Sequence, residues 1–521
     1  MSHRTLNSIA PGLLFSLVSC LYAAHAAAAP AAAATQAPAA SAASADGDED
    51  SDSAPKPAAA SASVTATATS APTLSTPPPA GESQPPAPAP ASYSKTECKH
   101  LAVDSNGWRV GVCGYVALNA MHDSTQGLST GLNSNIIARP GTYAGDHDQM
   151  QFTARDSRIN VEAAAPTTHG VETTGLIQFD FTGIMPAETT ETDAYIFGTP
   201  RLRIAVMRVK TPVLDITAGQ YHDLFGWGGA GFFPATLGFL GVPGEIYHRN
   251  PQFRLGKTVH SSAVDFEIAL AAVRPFQKAS GIPDGEGGMR VSFSRWTGAS
   301  TQAYNQPTIA PAGLGVSGVA RRFKPADFVA RPGDATTGYG WGFAANAVIP
   351  VIPRSDNEDR SNGLTLTAEF STGSGIADLY TGMTGGLLFP TIANDQGLTP
   401  AALYPSNGDP GSYTFDGNGN LKTANWQAIV LGLQYYLPIA GGRVWLSGIY
   451  SQAKSSNITV LTPIPDRGLV YFKSEYEDVS LFTAITDAVQ LSASFQTVRQ
   501  IFGDNSAARN NRIEFGSHFF F

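Results

Sequence analysis

The last eleven residues, Asn511-Arg-Ile-Glu-Phe-Gly-Ser-His-Phe-Phe-Phe521, place Ile513, Phe515, Phe519 and Phe521 on one side of an extended chain. About 9 to 11 residues of tilted strand cross a bilayer. A lone strand in hydrocarbon leaves its amides and carbonyls unpaired, so a spanning strand implies a closed barrel of such strands. The terminal aromatics Phe519 and Phe521 then read as the carboxy-terminal insertion signal that a bacterial outer-membrane barrel offers to the barrel-assembly machinery.

The remainder of the chain supplies the other strands. Leu364, Leu366, Ala368 and Phe370 alternate with Thr365, Thr367, Glu369 and Ser371, and the same period of two recurs in Val264–Leu270 and Val489–Phe495. One apolar face per segment is what lipid outside and water inside require. From Trp108 onward about sixteen such spans are expected, an even number as single-chain bacterial barrels require. Short connections at 211, 260–261, 438–441 and 487 fall on one side, and the long ones at 222–250, 373–424 and 454–473 on the other. The 298–311 connection is too long for the short-turn side, which leaves eighteen strands open. Trp108, Tyr339, Trp341, Trp426, Tyr435, Tyr436, Tyr450 and Tyr476 lie mostly near strand ends, where amphipathic rings favour the headgroup level.

Only 14% of the residues are charged and 53 are glycine, which disfavours a soluble helical protein. Past the leader no run reaches the roughly 18 apolar residues of a transmembrane helix. The net charge of -9, with no concentrated basic face, argues against nucleic acid as a partner.

Residues 1–26 read as a signal peptide, with Arg4, an apolar stretch from Leu13 to Tyr22 and an Ala24-His25-Ala26 cleavage triplet. Leu17-Val18-Ser19-Cys20 offers a competing lipobox, which would lipidate Cys20. Residues 27–97 are rich in Ala, Pro and Ser and too poor in large apolar groups to offset ordering entropy, so a disordered periplasmic tether is expected. Its acidic cluster, Asp46 to Asp52, reads as solvated linker. The barrel domain is expected at 98–521. Cys98 and Cys113, in an oxidising compartment, could close one small disulfide loop where the chain enters it.

In a barrel the functional surface is the lumen. Parity against apolar neighbours turns Arg158, Arg201, Arg203, Arg254 and Arg290 inward, on the second, fourth, sixth and eighth strands. Such a basic strip would attract and orient small anions. The alternative is that each arginine pairs with a lumenal acid such as Asp156, Asp180 or Asp265. The segment His222–Asn250 is too apolar for an exposed loop and is expected to fold into the lumen. It would bring Asp223, Trp227, Glu245, His248 and Arg249 to a constriction. A subunit-contact latch or an outer lid is the competing reading.

Three motif matches lack their structural context. Gly226–Gly231 satisfies GxGxxG without a following helix; Gly127–Gly131 satisfies GxSxG around Ser129, but in a polar loop; Asp416–Asn420 resembles a calcium loop, with Leu421 where the glycine belongs. No cofactor, metal site or catalysis is expected.

Arg155-Asp-Ser-Arg158, Gln178-Phe-Asp-Phe181, Pro200-Arg-Leu-Arg203, Ala218-Gly-Gln220 and Arg249-Asn-Pro-Gln-Phe-Arg254 resemble the DcaP-like outer-membrane porins over roughly residues 108–260. The resemblance implies a sixteen-stranded homotrimer with an inward third loop, passing small hydrophilic solutes and favouring anions such as dicarboxylates. At the amino terminus a heptad-bearing helix would be expected, where this chain has its Ala/Pro tether. Two other readings compete with a passive channel. One is a barrel lipase or protease using Ser129 or a loop acid and histidine; the other is an envelope anchor acting through the tether.

Overall fold

A computed structural model of the chain describes residues 101–126, 136–183, 198–228, 242–275, 280–301, 306–325, 337–381, 411–415, 420–462 and 464–521. The signal peptide, the tether, Cys20, Cys98 and Ser129 lie outside these.

The barrel strands are β1 (Trp108–Asp123), β2 (Gln149–Thr153 and Arg158–Ala164, two halves of one span), β3 (Glu172–Asp180), β4 (Arg201–Lys210), β5 (Asp215–His222), β6 (Arg249–His260), β7 (Val264–Val273) and β8 (Asp284–Ser300). They continue as β9 (Thr308–Phe323), β10 (Gly338–Ile352), β11 (Leu364–Ser374), β12 (Asn425–Tyr436), β13 (Val444–Ser455), β14 (Tyr471–Ala484), β15 (Val489–Phe502) and β16 (Ala507–Phe520). Each pairs antiparallel with the next, and β16 returns to β1, where Phe519 lies opposite Val116 and Ile513 opposite His122. The sheet is therefore a closed antiparallel barrel of sixteen spans. Closure removes every sheet edge, which is the condition for burying strands in lipid. A short strand, Leu101–Ser105, folds back as a hairpin on the start of β1.

The doubtful connection resolves in favour of sixteen. β8 runs to Ser300 and β9 starts at Thr308, and a bulge between Phe293 and Thr297 absorbs the irregular register that made the span look shorter. Bulges lengthen one strand against its partner in this way.

Outward positions carry the apolar stripe: Phe253, Ile268, Leu270, Leu314, Phe343, Leu431, Phe495, Phe515 and Phe519 are all exposed. Among the described residues no helix is long and apolar enough to cross a membrane. Trp108, Tyr339, Trp341 and Tyr450 are exposed on the outer face, as a girdle requires. Trp426, Tyr436 and Tyr476 are not: all three face the interior and are buried. Proximity to a strand end says nothing about which face a ring takes, and parity does. Trp426 shares its face with Ala428 and Val430 and donates from Nε1 to the Gly411 carbonyl at 2.7 Å. Tyr436 stacks on Trp445, and the Tyr476 hydroxyl donates to Asp478 at 3.0 Å.

The wall is uneven. β3, β4 and β5 hold 9, 10 and 8 residues, against 17 and 16 in β8 and β9. At about 3.3 Å per residue and a tilt near 40°, β3 to β5 rise only about 20 to 25 Å, barely the height of an apolar band.

Candidate functional site: the inward loop and the lumenal arginines

The connection between β5 and β6 enters the lumen because the wall opposite offers acceptors for its backbone. Glu286 on β8 accepts from the Leu224 and Phe225 amides at 2.8 and 2.9 Å, and the Ser317 hydroxyl oxygen on β9 accepts from the Gly226 amide at 2.9 Å. Further along, Glu369 on β11 accepts from the Ile246 amide at 2.8 Å and from the Asn346 side chain at 2.7 Å. Buried amides without such partners would each cost roughly 1 to 3 kcal/mol, so these carboxylates specify the loop's path.

Apolar packing follows the same path. Phe225, Val242 and Ile246 join Ile376, Leu379 and Tyr380 from the connection after β11, together with Trp426 and Val430 of β12. Gly244, at φ 87°, lies so close to the wall that a β-carbon there would meet Ala428 Cβ at 2.6 Å. The connection after β11 is fixed in turn by Arg321, whose guanidinium is buried between Asp284 at 3.0 Å and Asp378 at 2.5 Å. One half of the lumen, along β8 to β13, is thus occupied by loop.

The other half carries the arginines. Asp180 at the end of β3 is fully buried and accepts from Arg201 through two bonds of 3.0 and 2.6 Å and from Arg203 at 2.7 Å. Arg203 also donates to Gln178 at 2.9 Å and to the Tyr247 hydroxyl at 3.1 Å, which joins the β4 wall to the inward loop. Arg249 lies over the Tyr247 ring at 5.3 Å, and its buried Nη1 has no hydrogen-bond partner among the described residues. Arg254 donates to the His222 carbonyl at 2.6 Å, and Arg158 sits over the Tyr115 ring at 5.1 Å. Burial raises the Tyr247 phenol, but Arg249, Arg203 and Arg158 more than reverse this and bring it down to about 8.

The expected basic strip therefore divides. Arg158, Arg201, Arg203, Arg249 and Arg254 belong to one cluster, and the pairing alternative holds for two of them, both on Asp180. Arg290 stands apart: it makes a double bond pattern to Glu267 at 3.1 and 2.6 Å and lies beneath Trp227 at 5.5 Å. Trp227 itself is anchored by Nε1 to the Val316 carbonyl at 2.9 Å. Asp223 is buried at the loop's start and holds Asn250 at 2.7 Å. Glu245 accepts the Thr381 amide through its backbone carbonyl, and burial together with nearby Glu369 pushes its carboxyl well above the usual range. The His248 carbonyl accepts the Asp223 amide at 3.1 Å, closing the neck of the loop. Tyr247 went unnoticed in the sequence: it shares the parity of the outward Pro251 and Phe253, and only the turn of the loop into the lumen brings its hydroxyl to Arg203.

Cys113, on the inner face of β1, is disulfide-bonded; its expected partner Cys98 lies outside the described residues. Among the described residues no group of three or more His, Cys, Asp or Glu side chains could hold a metal ion. Gly226 takes φ 76° in the short turn Phe225–Trp227, so the GxGxxG match begins in a loop turn. Residues 229–241 and 416–419 are outside the described set.

A closed sixteen-stranded barrel with an apolar exterior and an inward loop defines the class of transmembrane β-barrels. No family model matches the chain, and neither does any curated protein. Among solved structures, the outer membrane channel DcaP of Acinetobacter baumannii is similar at a TM-score of 0.55 and 15% identity, covering 81% of this chain and 100% of that one. An anion-selective porin from Comamonas acidovorans gives 0.44 at 8% identity over 80% of this chain and 100% of that one. OprB of Pseudomonas putida gives 0.43 at 11% over 80% and 94%. The fold is that of the DcaP-like outer-membrane porins.

Proposed function

We propose that this chain is an outer-membrane porin, exported by its leader and tethered on the periplasmic side by residues 27–97, through which small hydrophilic solutes diffuse passively. Anions are preferred, with dicarboxylates as the solute class. The observation that carries this reading is the contact of Arg203 with Tyr247 inside a cluster of five arginines, where Asp180 is shared by two. The carboxylate-binding geometry of guanidinium suits a passing dianion, which could exchange between neighbouring forks. The DcaP channel's fold is consistent with a conducting barrel. A homotrimer accords with the low wall at β3 to β5, where outward Ile177, Leu202 and Met207 would be covered by a neighbouring copy.

Planar-bilayer recording of the purified protein tests the proposal. Stepwise conductance is expected, with a reversal potential in a salt gradient of the sign for anion preference. Absence of current at every voltage would rule out an open channel, and a cation-selective reversal potential would remove the anion preference alone.

A further inference from the structure

The outer wall of β12 to β16 bears a charged belt that the lumen does not use. Along these strands the outward apolar stripe reaches Ile429, Tyr450, Val479, Phe495 and Ile513; Phe495 opposes both Val479 and Ile513, and the exposed Glu477 opposes Tyr450. Four residues beyond that line, on the same outward face and toward the rim of the long loops, stand Lys454, Arg499 and Arg509, with Lys473 beside them. At about 3.3 Å per residue and a tilt near 40°, four residues lift these charges about 10 Å above the hydrocarbon boundary, the depth of lipid headgroups.

Their register is unfavourable by itself. Lys454 lies directly opposite Lys473, and Arg499 directly opposite Arg509. Like charges in opposed positions destabilise a strand pair. Glu475 offsets part of this, meeting Lys473 at 2.7 Å and Arg499 at 3.5 Å. Arg509 and Lys454 have no ion-pair partner among the described residues. On β10, toward the same rim, the outer face carries Tyr339 and Trp341, with Arg322 of β9 opposite Tyr339, whereas β13 to β16 bring four cations together.

We propose that this sector binds the phosphate-bearing headgroup of a glycolipid of the outer leaflet, its phosphates held between Arg499, Arg509 and Lys454 and its acyl chains lying along Leu431, Val479, Phe495 and Phe515. Arginine pairs supply bidentate donors to phosphate, and basic residues at headgroup depth draw anionic lipid. A second copy of the chain is the less suitable occupant, since its own outward stripe is apolar where this belt is charged. The inference rests on the membrane-spanning reading of the barrel and is independent of pore selectivity.

The full chain in neutral detergent is titrated with bisphosphorylated lipid A and with the same lipid stripped of its phosphates, and bound lipid is counted by native mass spectrometry. Single-channel conductance, expected to be unchanged in every variant, reports correct folding and the porin reading separately. The R499Q/R509Q double variant is expected to bind the phosphorylated lipid about thirtyfold more weakly than the parent. R499K/R509K keeps most of the binding, and the stripped lipid binds parent and variant equally weakly. Equal affinity of parent and R499Q/R509Q, or equal affinity for the two lipids, overturns the proposal. So does loss of self-association in R499Q/R509Q with lipid binding intact, which would assign the face to a neighbouring copy.

Discussion

Arg203 and Tyr247 meet at 3.1 Å, and through this contact the β4 wall and the inward loop become one surface. The same guanidinium holds the buried Asp180 at 2.7 Å, so its charge is oriented as well as present. Replacing it with glutamine keeps a polar side chain while deleting the charge. A unit charge about 5 Å from the path is worth about 0.8 kcal/mol in water-like surroundings, close to fourfold in local anion concentration. Because the same potential depletes cations by the factor it enriches anions, Arg203→Gln should lower the anion-to-cation permeability ratio by up to about sixteenfold. The reversal potential in a potassium chloride gradient measures it, and an unchanged value would place the solute path elsewhere.

Tyr247 makes selectivity depend on pH. Its phenol, raised by burial and then brought down to about 8 by Arg249, Arg203 and Arg158, is neutral below that value and a phenolate above it. The added negative charge cancels part of the cluster's field. Anion preference should fall as pH rises through about 8, and Tyr247→Phe should remove that step. Reversal potentials between pH 6 and about 10, where free tyrosine itself titrates, read the effect.

Glu369 and Glu286 hold the loop by its backbone. Glu369→Ala strips the Ile246 amide and the Asn346 side chain of their acceptor, at a cost of roughly 1 to 3 kcal/mol. Detachment should widen the channel and add current noise. Single-channel conductance above the parent's, with greater open-state noise, is the expected record, while a quiet parental trace would show that apolar packing alone retains the loop.

Gly244 tests that packing from the other side. At φ 87° and with Ala428 Cβ only 2.6 Å from the place of a β-carbon, even alanine strains the backbone and collides with β12. Gly244→Ala should displace the loop without touching any charge. Conductance should change while the ion preference at fixed salt is retained, which separates it from Arg203→Gln.

Cys113 is bonded through a disulfide on the inner face of β1. Peptide mapping without reductant is expected to recover one cross-linked fragment containing Cys98 and Cys113. Reduction should lower the temperature at which the barrel unfolds in detergent, since the closed loop constrains the unfolded chain.

Much of the molecule was legible from residue order. The sixteen barrel spans were placed by their period of two, though the hairpin strand Leu101–Ser105 was not, and the lumenal direction of Arg201 and Arg203 followed from Leu202 between them, because a pleat leaves no other choice. The loop after β5 was recognisable from its apolar content. Trp426, Tyr436 and Tyr476 were misassigned to the lipid girdle, because a rule about position along a strand was applied without parity. The bulge in β8 was also hidden, since a bulge shifts register without leaving a clear trace in alternation.

What the chain order determined alone is the barrel: alternation of apolar and polar side chains is a local property, and lipid outside with water inside converts it directly into a closed sheet. What tertiary structure decided is which arginines act together. Arg290 and Arg203 look alike along the chain, yet the loop's landing on Glu286 and Glu369 leaves Arg290 under Trp227, paired with Glu267, while Arg203 comes to rest against Tyr247. That division depends on contacts between residues far apart in the chain, where Coulomb and hydrogen-bond terms are set by distance in space.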